Sequence, residues 1–418
     1  MTATNTSFNQ DATSLVICQA EKLEIFSISN NCLEVDKIHS DSSLKDVIIS
    51  ERLFGSSLLI AVCRLEPRTL RVYHFRKGTE ICAYSYGSNI LNVKLNRMRL
   101  IVVCEKAIYF HDTKDMQLLH EIKNINFNPK GICCLSKSEA SGHPLLAYSG
   151  STRDGLLHIY ECDSFRMAST VSAHKTPIVA LAIYDCNYLI NSNIYKVPNT
   201  RALLATASDT GTVVRIWAVR TAGNVEKLAD LRRGTMRSAK VSSLNFSDDG
   251  KWLALISDTE TVHIWKIEQL LDPITPRHSI GYNPQEELIT NSNTKISMKN
   301  DDTTSSLISN GSWFSASSWS DYGKDLAKSV LPDSIGSAVS AGRANITATL
   351  PSSGYRSKVA IFSEEGMDYV QILVTMIDGS LLIYEADIAG GEAMYVRRHL
   401  LIGDSDEENE NVSNDVEE

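Results

Sequence analysis

Arg232 and Arg233 stand side by side, followed by Gly234, between two near-copies of one motif. The first copy runs Ser208-Asp209-Thr210-Gly211-Thr212-Val213-Val214-Arg215-Ile216-Trp217. The second runs Ser257-Asp258-Thr259-Glu260-Thr261-Val262-His263-Ile264-Trp265. Successive side chains of a strand point to opposite faces, so two extended arginines cannot enter one pocket. Each faces a different neighbour, and each neighbour offers hydroxyls plus one basic residue. Guanidinium, hydroxyl and imidazole donors converging on one spot suit a phosphate. Two such spots predict two phosphate pockets. An arginine pair that merely solvates a sheet edge is the plainer explanation, and the flanking repeat argues against it.

Elements that place these residues are legible as a repeat. An apolar, any, apolar, aromatic pattern appears as Leu23-Glu24-Ile25-Phe26, Leu70-Arg71-Val72-Tyr73 and, ending in His, Ile108-Tyr109-Phe110-His111. It returns as Leu157-His158-Ile159-Tyr160, Val214-Arg215-Ile216-Trp217, Val262-His263-Ile264-Trp265 and Leu381-Leu382-Ile383-Tyr384. The last residues of these seven copies are spaced 47, 38, 49, 57, 48 and 119 apart. Most gaps lie near the period of about 40–45 expected for the blades of a WD40-type propeller. Alternating β-branched strands and turn signals such as Asp248-Asp249-Gly250 complete the pattern. The expected fold is all-β: a seven-bladed WD40-type β-propeller of four-stranded blades over residues 1–402.

The gap of 119 exceeds one blade by roughly 70 residues, which places a long insertion in the sixth blade, over residues 268–342. Residues 291–310 are rich in Asn, Ser, Thr and Asp, the composition of a disordered segment. Trp313, Phe314, Trp319, Tyr322, Leu326 and Val330 follow. At about 100° per residue, Trp319, Tyr322, Leu326 and Val330 share one helix face, and Pro332 ends the helix. A membrane-inserting amphipathic helix has this composition, as does a helix packed on the propeller's side.

Charge and cysteine content exclude several functions. The net charge is -9, but residues 403–418, an expected acidic disordered tail, carry eight acids and no Lys or Arg. The remaining body is near neutral, so nucleic acid is a poor partner. The nine cysteines form no CxxC pair, and neither a disulfide framework nor a metal site is expected. The thiols read as reduced and mostly buried. The first ten residues lack a signal-peptide pattern, and no run of about 18 apolar residues exists to span a bilayer. No Gly-x-Ser-x-Gly elbow or phosphate-binding P-loop appears, so neither enzymatic activity nor a cofactor is expected.

Leu231-Arg232-Arg233-Gly234 resembles the Phe-Arg-Arg-Gly signature of the PROPPINs, seven-bladed phosphoinositide-binding propellers. Residues 7–15, 72–82 and 95–100 resemble the animal WIPI branch, which corresponds to the yeast autophagy-related protein 18. This resemblance implies binding of phosphatidylinositol 3-phosphate and 3,5-bisphosphate through two rim pockets. By matched position, one pocket would use His174, Ser208, Thr210, Thr212, Arg215 and Arg232. The other would use Arg233, Ser257, Thr259, Thr261 and His263. A hydrophobic membrane loop from the sixth blade is implied too, where the insertion lies. Arg97 and Lys114 match basic positions of a groove that binds a conjugation scaffold of the autophagy-related 16 type. Leu231 departs from the family's Phe, a change expected to affect packing.

The expected function is therefore that of a cytoplasmic protein bound peripherally to preautophagosomal or endosomal membranes. It would recruit autophagy machinery to forming autophagosomes. The alternative is a soluble WD40 scaffold in endosomal traffic, with a phosphopeptide or no phosphorylated ligand. If His263 and His174 meet phosphate, attachment is expected to strengthen as pH falls toward about 6.

Overall fold

The computed structural model describes residues 2–29, 32–137, 143–186, 200–234, 237–267, 342–363 and 366–402. These belong to a unit made of residues 1–272 and 341–418; a second unit, 273–340, lies outside the described residues. The expected insertion helix and acidic tail therefore lie outside them as well.

Seven sheets follow one another along the chain as seven blades. They span residues 5–41, 47–85, 90–123, 133–174, 178–232, 241–349 and 358–400. Blade 5 consists of Ile178–Asp185, Thr200–Ser208, Val213–Arg220 and Val225–Arg232. Blade 6 consists of Val241–Phe246, Trp252–Ser257, Thr261–Lys266 and Ile346–Thr349. Each of the seven repeat copies falls on the third strand of its blade. The insertion thus separates the third and fourth strands of blade 6, which pair directly, Thr261 opposite Thr349. One blade departs from the four-strand expectation. A two-residue strand, Gly391–Glu392, joins the outer edge of blade 6 in parallel with Ile346–Thr349.

Second strands are buried throughout; Ser14–Cys18 and Trp252–Ser257 have no exposed residue. Strand alternation explains why both faces are apolar. Leu15 and Ile17 pack against Leu373 and Leu381 of blade 7. Val16 and Cys18, pointing the other way, pack against Leu59 and Ala61 of blade 2. Seven apolar clusters result, one in each gap between neighbouring blades. The ring closes by this packing and by a Thr6–Thr375 hydroxyl contact of 3.1 Å. No strand is exchanged between the first and last blades among the described residues. All nine cysteines are unpaired, and seven are buried.

Candidate functional site

The mirrored sequence motif produces mirrored geometry. Ser208 ends the second strand of blade 5, and its hydroxyl lies 3.0 Å from that of Thr210. Ser257 ends the second strand of blade 6, and its hydroxyl lies 2.9 Å from that of Thr259. Both serines are buried. Each blade thus holds a hydroxyl pair at the turn into its third strand. Gly211 makes the blade 5 turn possible, with φ +61 and space for no side chain, since a Cβ there would sit 2.0 Å from the Ala239 carbonyl oxygen.

Arg232 and Arg233 have different surroundings. Arg232 ends the fourth strand of blade 5, opposite Val213. Its Nε is buried and makes no hydrogen bond among the described residues. Its backbone N–H donates to the Gly342 carbonyl at 3.0 Å. The same carbonyl accepts Trp265 Nε1–H at 2.9 Å, so the chain returning from the insertion braces this arginine from behind. Gly342 needs its φ of +40, and a Cβ there would approach the Asp230 carbonyl to 3.0 Å. Arg233 turns toward blade 6. Its Nε donates to the Gly211 carbonyl at 2.8 Å, a second guanidinium nitrogen reaches the Arg237 carbonyl, and its charge acts on His263.

Arg215 lies on the third strand of blade 5, directly across from Asp230. Its Nε is 3.3 Å from Asp230 Oδ1, and its Nη1 donates to the Ala173 carbonyl. Lys227 reaches the other carboxylate oxygen at 3.2 Å. Nothing in the local pattern of residues marks this acid beside a phosphate-binding candidate. Counting outward from the hairpin turn near Gly223 would set Ala229 opposite Arg215, and a bulge at Ile216–Trp217 brings Asp230 there instead. His174 Nε2 contacts Thr206 at 2.9 Å from the hydroxyl and 3.2 Å from the carbonyl oxygen. Thr206, wholly buried, also accepts Trp217 Nε1–H at 3.1 Å. The structure therefore groups His174 with Arg215, and Ser208 with Thr210. No hydrogen bond or ion pair joins Arg232 or the Thr212 hydroxyl to them among the described residues. Thr261 and His263 take ladder positions opposite Thr349 and Thr347, and His263 stacks on Trp265 at 6.0 Å.

Seven blades, a braced arginine pair and twin hydroxyl dyads now stand together, and the PROPPIN family model matches residues 3–284. The chain belongs to the PROPPIN family. It is 36% identical over 414 residues to human WD repeat domain phosphoinositide-interacting protein 1, covering 98% of this chain and 79% of that protein. It is 30% identical over 401 residues to Caenorhabditis elegans autophagy-related protein 18, covering 94% and 84%. Among solved structures, it is similar to KlAtg21 in complex with the coiled coil of AgAtg16, with TM-score 0.62, 18% identity and coverage of 96% and 99%. Kluyveromyces lactis Hsv2 is similar with TM-score 0.59, 16% identity and coverage of 95% and 98%. These structural likenesses show the fold.

In this PROPPIN chain the signature's Phe is Leu231, which is fully buried in the cluster between blades 5 and 6. Its substitution is a packing change. Glu260, the acid inside the second motif, is exposed.

The two histidines titrate lower than their chemistry alone suggests. Burial, then the Arg215 charge, pushes His174 down to about 4. Burial, then the Arg233 charge, pushes His263 down to about 4. Both are neutral at pH 7. Unfolded chains take up these protons near pH 6.5 and the folded chain does not, so acid costs stability from about 6.5 down to about 4. The pH window expected from sequence consequently moves lower, because a phosphate must first offset burial and a neighbouring guanidinium. Attachment to phosphoinositide vesicles should be flat between about pH 8 and pH 7. Below about pH 6 the phosphate itself also gains a proton, which opposes binding. The imidazole contribution is therefore read as the difference between wild type and His263→Ala. That difference should grow from about pH 6 to pH 5, and a constant difference would remove His263 from the titrating set.

Proposed function

We propose that this chain is a peripheral membrane protein that binds phosphatidylinositol 3-phosphate and 3,5-bisphosphate through two rim pockets. It recruits autophagy machinery to forming autophagosomes and acts in the cytoplasm on preautophagosomal and endosomal membranes. The names of the human and nematode relatives support the lipid class and the process. One observation carries the two-pocket reading: the buried Arg232 Nε has no hydrogen-bond partner among the described residues, in a blade whose Ser208–Thr210 hydroxyl pair recurs one blade away as Ser257–Thr259. An unpaired buried donor is costly and is accounted for by a ligand acceptor. Arg215, engaged by Asp230 and Ala173, supplies field and positioning; Arg232 and Arg233 would carry the phosphate contacts. Neutral imidazole can still donate one N–H. Two weak headgroup contacts on one vesicle reinforce each other through effective concentration. Flotation with vesicles containing or lacking the 3-phosphate tests this reading. Flotation with neither would favour a soluble scaffold instead, and equal flotation with both would remove the 3-phosphate as the determinant.

Recruitment is assigned to the surface between blades 2 and 3. Arg97 is exposed on blade 3, and its guanidinium lies 4.3 Å from the Phe54 ring of blade 2. Lys114 is exposed nearby along blade 3's last hairpin, with its backbone N–H held by Asp112 at 2.9 Å. A coiled-coil scaffold of the autophagy-related 16 type, bearing acids, is the partner proposed for this pair. Arg97→Glu should reduce capture of that coiled coil at least about tenfold, as charge reversal at a contact does, while vesicle flotation is unchanged. Undiminished capture would take Arg97 out of the interface.

A further inference from the structure

Beyond the rim, the propeller's axis holds a second set of cations. The inner strands enclose a cavity of about 500 Å3. Lys94 of blade 3 pairs there with Glu51 of blade 2. Lys358, from the inner strand of blade 7, feels both of these charges. It has no hydrogen bond or ion pair for its own ammonium among the described residues. Two ammonium groups thus share one carboxylate inside a narrow channel. Further along the lining, Lys137 is neutralised by Asp248, and Asp11 is held by Thr13.

The cavity continues into a mouth of about 740 Å3, and Lys358 lines both. Lys130, Lys240 and Arg356 stand around this mouth against one acid, Asp209. All three cations are exposed. Arg356 holds a left-handed backbone, φ +59, which is unusual for a residue with a side chain. The positive excess is local, because the body as a whole is near neutral. A charged group in a confined site seeks a counter-charge, and among the described residues Lys358 has only the Glu51 carboxylate already paired with Lys94.

We propose that the axial channel binds a small, soluble, multiply charged phosphate anion, held between Lys358 and Lys94 and admitted past Lys130, Lys240 and Arg356. Inorganic polyphosphate and a polyphosphorylated inositol share this chemistry. The site is distinct from the rim arginines. Burial, and then the Lys94 charge, lowers the affinity of Lys358 for its proton. An anion between the two lysines reverses that effect.

The test uses the full chain carrying Arg232→Thr and Arg233→Thr, so that the rim does not contribute. Inorganic tripolyphosphate and inositol hexakisphosphate are titrated separately by calorimetry at physiological salt, with melting followed in parallel. One binding event is expected for at least one probe, with a rise in melting temperature. Lys358→Met should weaken it at least about tenfold and remove the anion-induced rise. Without anion, the same variant should melt no lower than its parent, because an unpaired confined charge has been removed. Lys358→Arg should retain the site. The exposed pair Lys130→Glu and Lys240→Glu, which cannot disturb the core, should weaken binding by at least about threefold. Tripolyphosphate binding alone points to inorganic polyphosphate, and preference for the inositol probe points to the other source. The proposal is overturned if neither probe binds the rim-silenced chain. Affinity unaffected by Lys358→Met, or unaffected by the mouth pair should the first variant fail to fold, overturns it equally.

Discussion

Changing Arg232 and Arg233 together to threonine is expected to abolish flotation with vesicles containing phosphatidylinositol 3-phosphate, in a protein that still folds. Each arginine contributes charge-assisted contacts of about 1.5–3 kcal/mol, so each single change should weaken attachment by about ten- to a hundredfold. The two single variants should differ in stability. The Arg232 Nε makes no hydrogen bond among the described residues, so Arg232→Thr should leave melting nearly unchanged. Arg233 holds the Gly211 and Arg237 carbonyls, so Arg233→Thr should lower melting as well as affinity. Circular dichroism and thermal melts separate the two effects. Full flotation by a well-folded double variant would end the rim-pocket reading.

The second large effect is expected from the insertion of blade 6. Trp319→Asp with Leu326→Asp should lower vesicle attachment by at least about tenfold, since two large apolar side chains are worth about 1.5–3 kcal/mol each when buried in lipid. Calorimetric affinity for a soluble inositol 1,3-bisphosphate headgroup should be unchanged. Damage to the rim would lower both quantities, and that difference identifies the mechanism. In a variant keeping only Trp313 and Trp319, tryptophan emission should shift to the blue on vesicle binding. Normal vesicle binding by the Asp variant, without a spectral shift, would make the segment a structural element of the propeller.

The blade count was readable because a propeller repeats its burial. Third strands carry Val214-Arg215-Ile216-Trp217 and its six relatives because each lies between the same two layers. Second strands read as continuous apolar runs because both faces meet a neighbouring blade. Placement of the insertion followed from the one gap that a blade could not fill. The twin hydroxyl pairs followed as well, since Ser208 and Thr210, or Ser257 and Thr259, are two residues apart and local turn geometry joins them.

Contacts between distant segments were not readable. Lys94, Glu51 and Lys358 meet only because the ring closes, and nothing in their local sequence distinguishes them from surface charges. Asp230 meets Arg215 through hairpin register, and a bulge at Ile216–Trp217 shifts that register by one residue nearby. Gly342 reaches Arg232 and Trp265 from the far side of the insertion. The histidines show the division most clearly. His263 could be placed near hydroxyls from the repeat itself, whereas His174 was placed only by the family resemblance, and its contact with Thr206 came from the fold. Their neutrality at pH 7 was decided by tertiary structure, because desolvation and the nearby Arg215 and Arg233 charges exist only once the blades have packed.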